Sequence, residues 1–366
     1  MPGQTFSLLI LPSITAFFIS YFLTPLIIKY AKKLNILDYP GKRKDPATLH
    51  STPIPRGGGI PIFLAILGTS LLFLPLDQRL GAILLGGAVV TGIGFLDDRQ
   101  SASPYLRLVG QFIAAAVVVA SGVGISFATN PLTGVVMDLS QPRFLFEVLG
   151  NTKAIWIISS SFGLLWIVFL MNAVSWSSGV DGQLSGFATI AALTLAILSF
   201  SFSADITQWP VTVLAAAVFG SYLGFLPWHI YPQKIMPGFG GGTLAGFMLA
   251  VLAILTTAKV GTLLLVLAIP VADTLFALVR RTLSGKSPVW GDKKHLHHRL
   301  LEIGWSKKSV AIFYWAATLV LSVLAFYLNA SQKFYTIIGV LLFVGGVFIW
   351  LTYLLPFLKA RDRDSG

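Results

Sequence analysis

The sequence predicts an all-α fold, a polytopic bundle of transmembrane helices with the N-terminus outside and the C-terminus cytoplasmic. Three observations predict it. Of 366 residues, 55% are hydrophobic and only 11% are charged, against about 25% charged in an ordinary soluble domain. Mean hydropathy is +0.81. Apolar stretches of roughly 20 residues, each enough to cross the hydrocarbon core as a helix, recur along the whole chain.

In order, the apolar runs predict helices near 6–28, 57–75, 80–96, 106–128, 154–173, 185–203, 211–228, 242–257, 261–279, 309–328 and 334–356, about eleven spans in all. The first run has no Lys or Arg before Lys29 and no clear small-residue cleavage site, so it reads as a retained helix rather than a signal peptide. Residues 129–153 form the one sizeable outer loop, with room for a short hairpin. The whole chain, 1–366, reads as a single integral-membrane domain with cytoplasmic loops near 29–56, 97–105, 174–184, 229–241 and 280–308. With no cysteine in the chain, a disulfide framework, a thiolate metal site and a cysteine nucleophile are all excluded.

Basic residues set the orientation. Of the 26 Lys and Arg, all but Arg79, Arg143, Lys153, Lys259 and Lys333 fall on one side, which is therefore cytoplasmic. The net charge of +12 reads first as this topology and as attraction to anionic lipid headgroups, not as a nucleic-acid surface.

The residues able to do chemistry converge on that same side. All five histidines, His50, His229, His295, His297 and His298, lie there, with Asp97, Asp98, Asp181, Asp273 and Asp292. A transporter of polar solutes also needs polar groups at the bilayer midplane; here the helix middles are nearly free of charge. Adjacent Asp97 and Asp98 in "GFLDDRQSASPYLR" repel each other unless a cation compensates. That cation is either a divalent metal or the neighbouring Arg99 and Arg107. Asp273 in "AIPVADTLFALVRR" lies seven residues before Arg280, roughly 10 Å into its helix, where a carboxylate is costly. Its alternative is satisfaction by a neighbouring hydroxyl or backbone group. "GKSPVWGDKKHLHHRL" joins three histidines, Arg299 and lysines without Cys or Glu, which suits a phosphate better than zinc. "RKDPATLHSTPIPRGGG", with Lys44, His50 and Arg56, repeats the theme. "MPGFGGGTLAG" offers helix-start amides to an anion, but it lacks the GK[ST] of a P-loop.

These motifs, "DYPGKRK…H…PIPRGGG", "GFLDDR…SPYLRLVGQ", "NA…GVDG" and "PVADTL…RR…GKSP…GDKKHLHHRL", resemble the polyprenyl-phosphate hexose-1-phosphate transferases from about residue 20 to 308. That superfamily includes the bacterial N-acetylglucosamine-1-phosphate transferases of O-antigen and teichoic-acid synthesis and the phospho-N-acetylmuramoyl-pentapeptide transferase; the last motif is nearer the aminosugar-phosphate branch. The resemblance implies transfer of N-acetylhexosamine-1-phosphate from a UDP-sugar to polyprenyl (undecaprenyl) phosphate, giving UMP, at the inner face of the bacterial cytoplasmic membrane. This is the first membrane step of a cell-envelope glycan, for which Mg²⁺, or Mn²⁺ in its place, is the implied cofactor. It also implies a homodimer in the lipid bilayer. By residue it assigns Asp97, Asp98 and Asp181 to metal and catalysis, with Asp97 the acceptor of any proton on the lipid phosphate. His297 and His298 are assigned to catalysis at the diphosphate. Substrate binding then falls to Lys44, His50, Arg56, Asn172, Asp273, His295 and Arg299.

The chain departs from the family pattern at four places. In N-A-x-N-x-x-D-G-x-D-G, Ser175 replaces the second asparagine and Ser178 the first aspartate. In F-N…P-A-x-x-F-M-G-D-x-G-S, His229 replaces the asparagine and Phe239 the aspartate that serves the family as main metal ligand. Phenylalanine cannot bind Mg²⁺ and serine is a poor neutral ligand. Three readings follow: a transferase with a rebuilt site, a catalytically impaired lipid- or nucleotide-binding relative, and a transporter or scaffold on the same fold. The first is favoured, since Asp97–Asp98, Asp273 and "HLHHR" together have little use in an inert protein.

Overall fold

The computed structural model describes residues 6–40, 50–148, 151–202, 204–256, 259–287, 290 and 294–351. Lys44 and Asp292 lie outside them. The helices, in order, are α1 (Leu11–Leu34, entered through a π-helical turn at Phe6–Ile10), α2 (Gly59–Phe73), α3 (Gln78–Gln100), α4 (Pro104–Ala120) and α5 (Ile157–Trp176). They continue with α6 (Gln183–Ser201), α7 (Trp209–His229), α8 (Gly238–Leu255), α9 (Val260–Val266), α10 (Ala268–Leu283), α11 (Leu296–Glu302), α12 (Lys307–Tyr327) and α13 (Ala330–Ile349). In lipid each backbone N–H and C=O must be satisfied within the segment, which is why apolar runs of this length become helices. Their starts are fixed locally: Asp77 caps α3 through the Leu80 amide at 2.7 Å, Ser103 caps α4 ahead of Pro104, and Asn329 with Gln332 forms a capping box on α13, an arrangement that satisfies two orphan amides at once.

Every apolar run contains a described helix, but they are not eleven equivalent spans. Eight of the described helices are long and apolar enough to cross a membrane, or nine if α9 and α10 count as one broken span. Helices α2 and α4 have 15 and 17 residues, short of the roughly 20 that a full crossing needs. The run expected as one helix over 261–279 breaks at Leu267, where α9 and α10 meet at 85°. Pro270, in the first turn of α10, has no N–H to return to Val266 and so cannot continue the preceding helix.

The outer segment also differs from expectation. It holds two antiparallel ribbons rather than one: β3 (Phe127–Thr129) with β4 (Val136–Asp138), and β5 (Arg143–Val148) with β6 (Asn151–Trp156). They shorten the neighbouring helices, because the chain leaves α4 at Ser121 and Gly122, the latter at φ +91°, and enters α5 only after Trp156. On the opposite end a two-residue pairing, β1 (Leu37–Asp38) with β2 (Ile54–Pro55), sets Asp38 against Ile54.

The core centres on α6, α7 and α8, whose inward faces are almost wholly buried. Helix α7 packs on α1 and α6, and α8 on α3 and α5. Gly240, Gly241 and Gly242 at the start of α8 carry no side chains and let three neighbours close in. A Cβ on Gly94 of α3 would lie 2.2 Å from the Gly240 Cα, and one on Gly59 of α2 would lie 2.6 Å from the Gly241 nitrogen. One residue further along, a Cβ on Gly242 would touch Ser175 of α5 at 3.0 Å. The glycine run that read as a candidate anion cradle is thus the joint at which α2, α3, α5 and α8 meet.

Candidate active site

Two groups of polar side chains assemble around this joint. The first contains the acidic pair. Asp97 and Asp98 are both buried at the end of α3, and each carries an arginine. Arg107, one turn into α4, holds Asp97 Oδ1 at 2.6 and 2.7 Å. Arg56, just after β2, reaches Asp98 Oδ1 at 3.2 Å through Nε and Asp38 Oδ2 at 3.2 Å through Nη1. His50 joins the same chain, its Nε2 lying 3.4 Å from Asp38 Oδ2. The start of α8 contributes the Phe239 amide, which donates to Asp98 Oδ1 at 3.2 Å. One helix-start N–H group therefore does hold an anion, and it is a carboxylate of the protein. Gly238 adopts φ +67°, and a Cβ there would lie 2.2 Å from Asp98 Oδ2; glycine is required on both counts.

Phe239, where the resemblance implies an aspartate, has a definite contact through its ring. The Arg107 guanidinium lies over it, 5.0 Å from the ring centroid. Arg107 is thus held from one side by Asp97 and from the other by an aromatic face, an arrangement that attracts cations.

The second group surrounds the loop 177–182. Asp181, buried, accepts from the Gln233 amide and from Lys307 Nζ, both at 3.2 Å. His297 of α11 stands against Gly179, where a Cβ would fall 1.9 Å from its Nε2. Gly179 is therefore the opening through which the histidine motif reaches the loop. His297 Nδ1 is buried without a hydrogen-bond partner among the described residues. Burial first, then the neighbouring His298 and His295, hold the His297 imidazole well below its ordinary range and so neutral. The His298 ring lies 4.2 Å from that of His297 and the His295 ring stacks at 5.8 Å. Arg299 turns to Glu302 at 2.8 Å.

Asp273 does not open onto this space. Fully buried in α10, it accepts from His295 Nδ1 and from the Leu296 amide, both at 3.0 Å. It thereby fixes the start of α11, closer to the local-satisfaction alternative than to a ligand contact. Asn172 likewise turns inward, donating to Gln111 at 2.7 Å and to the Val168 carbonyl at 2.8 Å. Sequence reasoning missed Asp38, Lys307, Arg281 and the Ser185–His229 pair. Arg281 faces His295 at 3.4 Å and lies over Trp176, while Ser185 Oγ and His229 Nδ1 are 2.7 Å apart. The "D" of "DYPGKRK" and the lysine pair after the histidine motif were the available signals.

Among the described residues, no three His, Asp or Glu side chains converge so as to hold a metal ion. The expected joint ligation by Asp97, Asp98 and Asp181 is not assembled. The reason is electrostatic: each already has a cationic partner, Arg107, Arg56 and Lys307 respectively. This donor set does not fit a resident Mg²⁺ or Mn²⁺, which takes one or two free carboxylates.

A membrane helix bundle with buried acid–arginine pairs beside a histidine-bearing helix is the class of protein defined here. The chain belongs to glycosyl transferase family 4, whose model matches residues 80–257. It is 32% identical to the decaprenyl-phosphate N-acetylglucosaminephosphotransferase of Mycobacterium leprae, over 97% of this chain and 92% of that protein. It is also 32% identical to the enzyme of the same name from Mycolicibacterium smegmatis, over 84% and 79% of the two chains. With the phospho-N-acetylmuramoyl-pentapeptide-transferase of Bacillus subtilis it shares 28% identity, over 86% and 95%.

Proposed function

We propose that the protein transfers N-acetylhexosamine-1-phosphate from a UDP-sugar to polyprenyl phosphate, yielding polyprenyl-diphosphate-sugar and UMP. The reading is supported by family membership and carried by one observation, the seating of His297 on Gly179, which joins the two most diagnostic motifs in one place. In the reaction an oxygen of the lipid phosphate bonds to the β-phosphorus. The bond from that phosphorus to the oxygen bridging to the α-phosphate breaks, and UMP departs with that oxygen. The lipid phosphate is largely ionised at neutral pH, so no protein base is required. The chain's own contribution is charge and alignment. Arg107, Arg56 and Lys307 are fixed cations for non-bridging oxygens, and preorganised charge of this kind needs no rearrangement as the transition state forms. A Mg²⁺ carried in with the donor would add positive charge to that of these side chains.

We place the site at the cytoplasmic face of a bacterial cytoplasmic membrane, with about eleven spans in the bundle if the short α2 and α4 and the broken α9–α10 pair each count as one, the N-terminus outside, and a homodimer as the assembled form. The cysteine-free chain makes the orientation directly testable. Gly134→Cys should label from outside and Ser306→Cys from inside; the reverse refutes it.

One observation favours a second reading. Phe239 and Ser178 remove two acidic positions, and Arg107 fills the space beside Asp97, as in a lipid- or nucleotide-binding relative without turnover. UMP release from UDP-N-acetylhexosamines, with polyprenyl phosphate and Mg²⁺, decides between them. Lipid-dependent release that Asp97→Asn lowers by orders of magnitude supports transfer. Ligand binding without release supports the second reading.

A further inference from the structure

We propose that the bundle carries a phosphate-binding site at the end opposite the candidate active site, built from Lys259, Thr262 and Lys333. Helix α12 runs from Lys307, beside Asp181, to Tyr327, 21 residues further along the bundle, or roughly 30 Å. Helix α13 begins three residues later, and Lys333 lies one turn into it. The proposal therefore does not depend on the transferase reading.

Three elements bring the group together. Lys333 is half-buried, and its Nζ donates to the buried Thr262 Oγ1 of α9 at 2.8 Å. Lys259, just ahead of α9, is also half-buried, and its ammonium lies 5.2 Å from the ring centroid of Phe202, which follows α6. Among the described residues, the one charged group that acts on Lys333 is Lys259, a like charge. Asp205, three residues beyond Phe202, is turned to its own loop, where Oδ1 accepts from the Thr207 amide and hydroxyl at 2.9 and 2.7 Å. Two ammonium groups away from bulk water repel each other strongly. An aromatic face attracts a cation but leaves its charge in place; a shared anion removes the repulsion.

The chemistry of the group fits a phosphate. Ammonium groups are compact point charges with several donors each. The Thr262 hydroxyl accepts from Lys333 and keeps its own hydrogen to donate. A lysine that serves only topology extends its head into water, whereas these two fold back onto Thr262 and Phe202. Depth agrees with a headgroup: Tyr327 and Tyr335, on either side of Lys333 in sequence, are 83% and 61% exposed, and tyrosines concentrate at the level of the lipid headgroups. The phosphate of an anionic phospholipid and a free phosphate ion share this chemistry.

The test titrates the full chain in neutral detergent with phosphatidylglycerol and reads bound lipid by native mass spectrometry. Lys259→Gln and Lys333→Gln should each weaken binding about fivefold, and the double variant about thirtyfold, as expected for a lysine beside an anionic headgroup. Glutamine at 333 keeps a donor for Thr262, and Lys333→Arg, which keeps the charge, should bind as the wild type does. Arg79→Gln removes an exposed charge at the same end of the bundle and should change nothing. Undiminished binding in the double variant, or an equal loss in Arg79→Gln, overturns the proposal. Thermal unfolding with phosphatidylglycerol or inorganic phosphate separates the two sources. Lysine-dependent stabilisation by the lipid alone supports the site with a headgroup as its ligand, and stabilisation by inorganic phosphate supports it with a free ion. A lysine-dependent response to neither overturns it.

Discussion

Replacing Gly179 with alanine should cost the protein its activity through a single methyl group. The Cβ would sit 1.9 Å from His297 Nε2, whereas ordinary van der Waals contact begins at 3.4 Å. The ring must therefore retreat by about 1.5 Å, from a site where His297 is only 2% exposed and close-packed surroundings resist the move. Overpacking of this kind costs about 1–3 kcal/mol. Misplacing a reacting or positioning group by 1 Å can cost about 10²-fold in rate. The expected result is a kcat for UMP release lowered roughly a hundredfold, with a measurable fall in the unfolding midpoint. A double-mutant cycle isolates the cause. In a His297→Ala background the stability cost of Gly179→Ala should largely vanish, while activity stays low. Wild-type turnover in Gly179→Ala, or an undiminished stability cost after removal of the imidazole, would refute the claim that this glycine exists to admit that ring.

Three further outcomes are expected. Gly238→Ala should destabilise more than Gly122→Ala: both occupy positive φ, about 1–2 kcal/mol against alanine, but only the first meets Asp98, at 2.2 Å, while the second meets nothing within 4 Å; equal losses in thermal unfolding contradict the contact. Because His297 is held well below its ordinary pKa of 6.5, the unfolded chain binds the extra proton first. Stability should therefore be full above about pH 6.5 and fall by up to about 1.4 kcal/mol per pH unit below it. The slope should be shallower in His297→Asn, and identical slopes in pH-dependent unfolding would reject the assignment. Phe239→Asp should release Arg107 from its aromatic seat and lower the Mg²⁺ concentration giving half-maximal turnover; an unchanged midpoint removes position 239 from any account of the metal.

Much of this molecule can be read from the sequence, because lipid imposes a simple rule on composition. Each apolar run holds at least one helix, and the described parts of the motifs that pointed to a family lie in the regions that form the candidate site. What escaped is what depends on contacts distant in sequence. The break at Leu267 lies within an unbroken apolar run, where only Pro270 hints at it. The pairing of Arg107 with Phe239 joins residues far apart in the chain, and nothing local to either suggests the other. Lys307 read as one more inside charge, since a lysine that sets topology and a lysine that holds Asp181 have the same local sequence. Asp273 shows the same dependence: its partners His295 and the Leu296 amide lie more than twenty residues away, and nothing beside it in the sequence names them.

The bare backbone where α2, α3, α5 and α8 converge has a consequence for how such a site can change over time. A hinge made mostly of glycine backbone has few side chains that can be trimmed or enlarged, so its spacing tolerates little piecemeal change. Position 239 projects away from that hinge toward Arg107, and its chemistry can therefore be exchanged while the helices keep their spacing. An acidic residue and a phenylalanine can alternate there without reshaping the scaffold, and so the identity of the charge at the reacting centre is free to drift on a frame that is not.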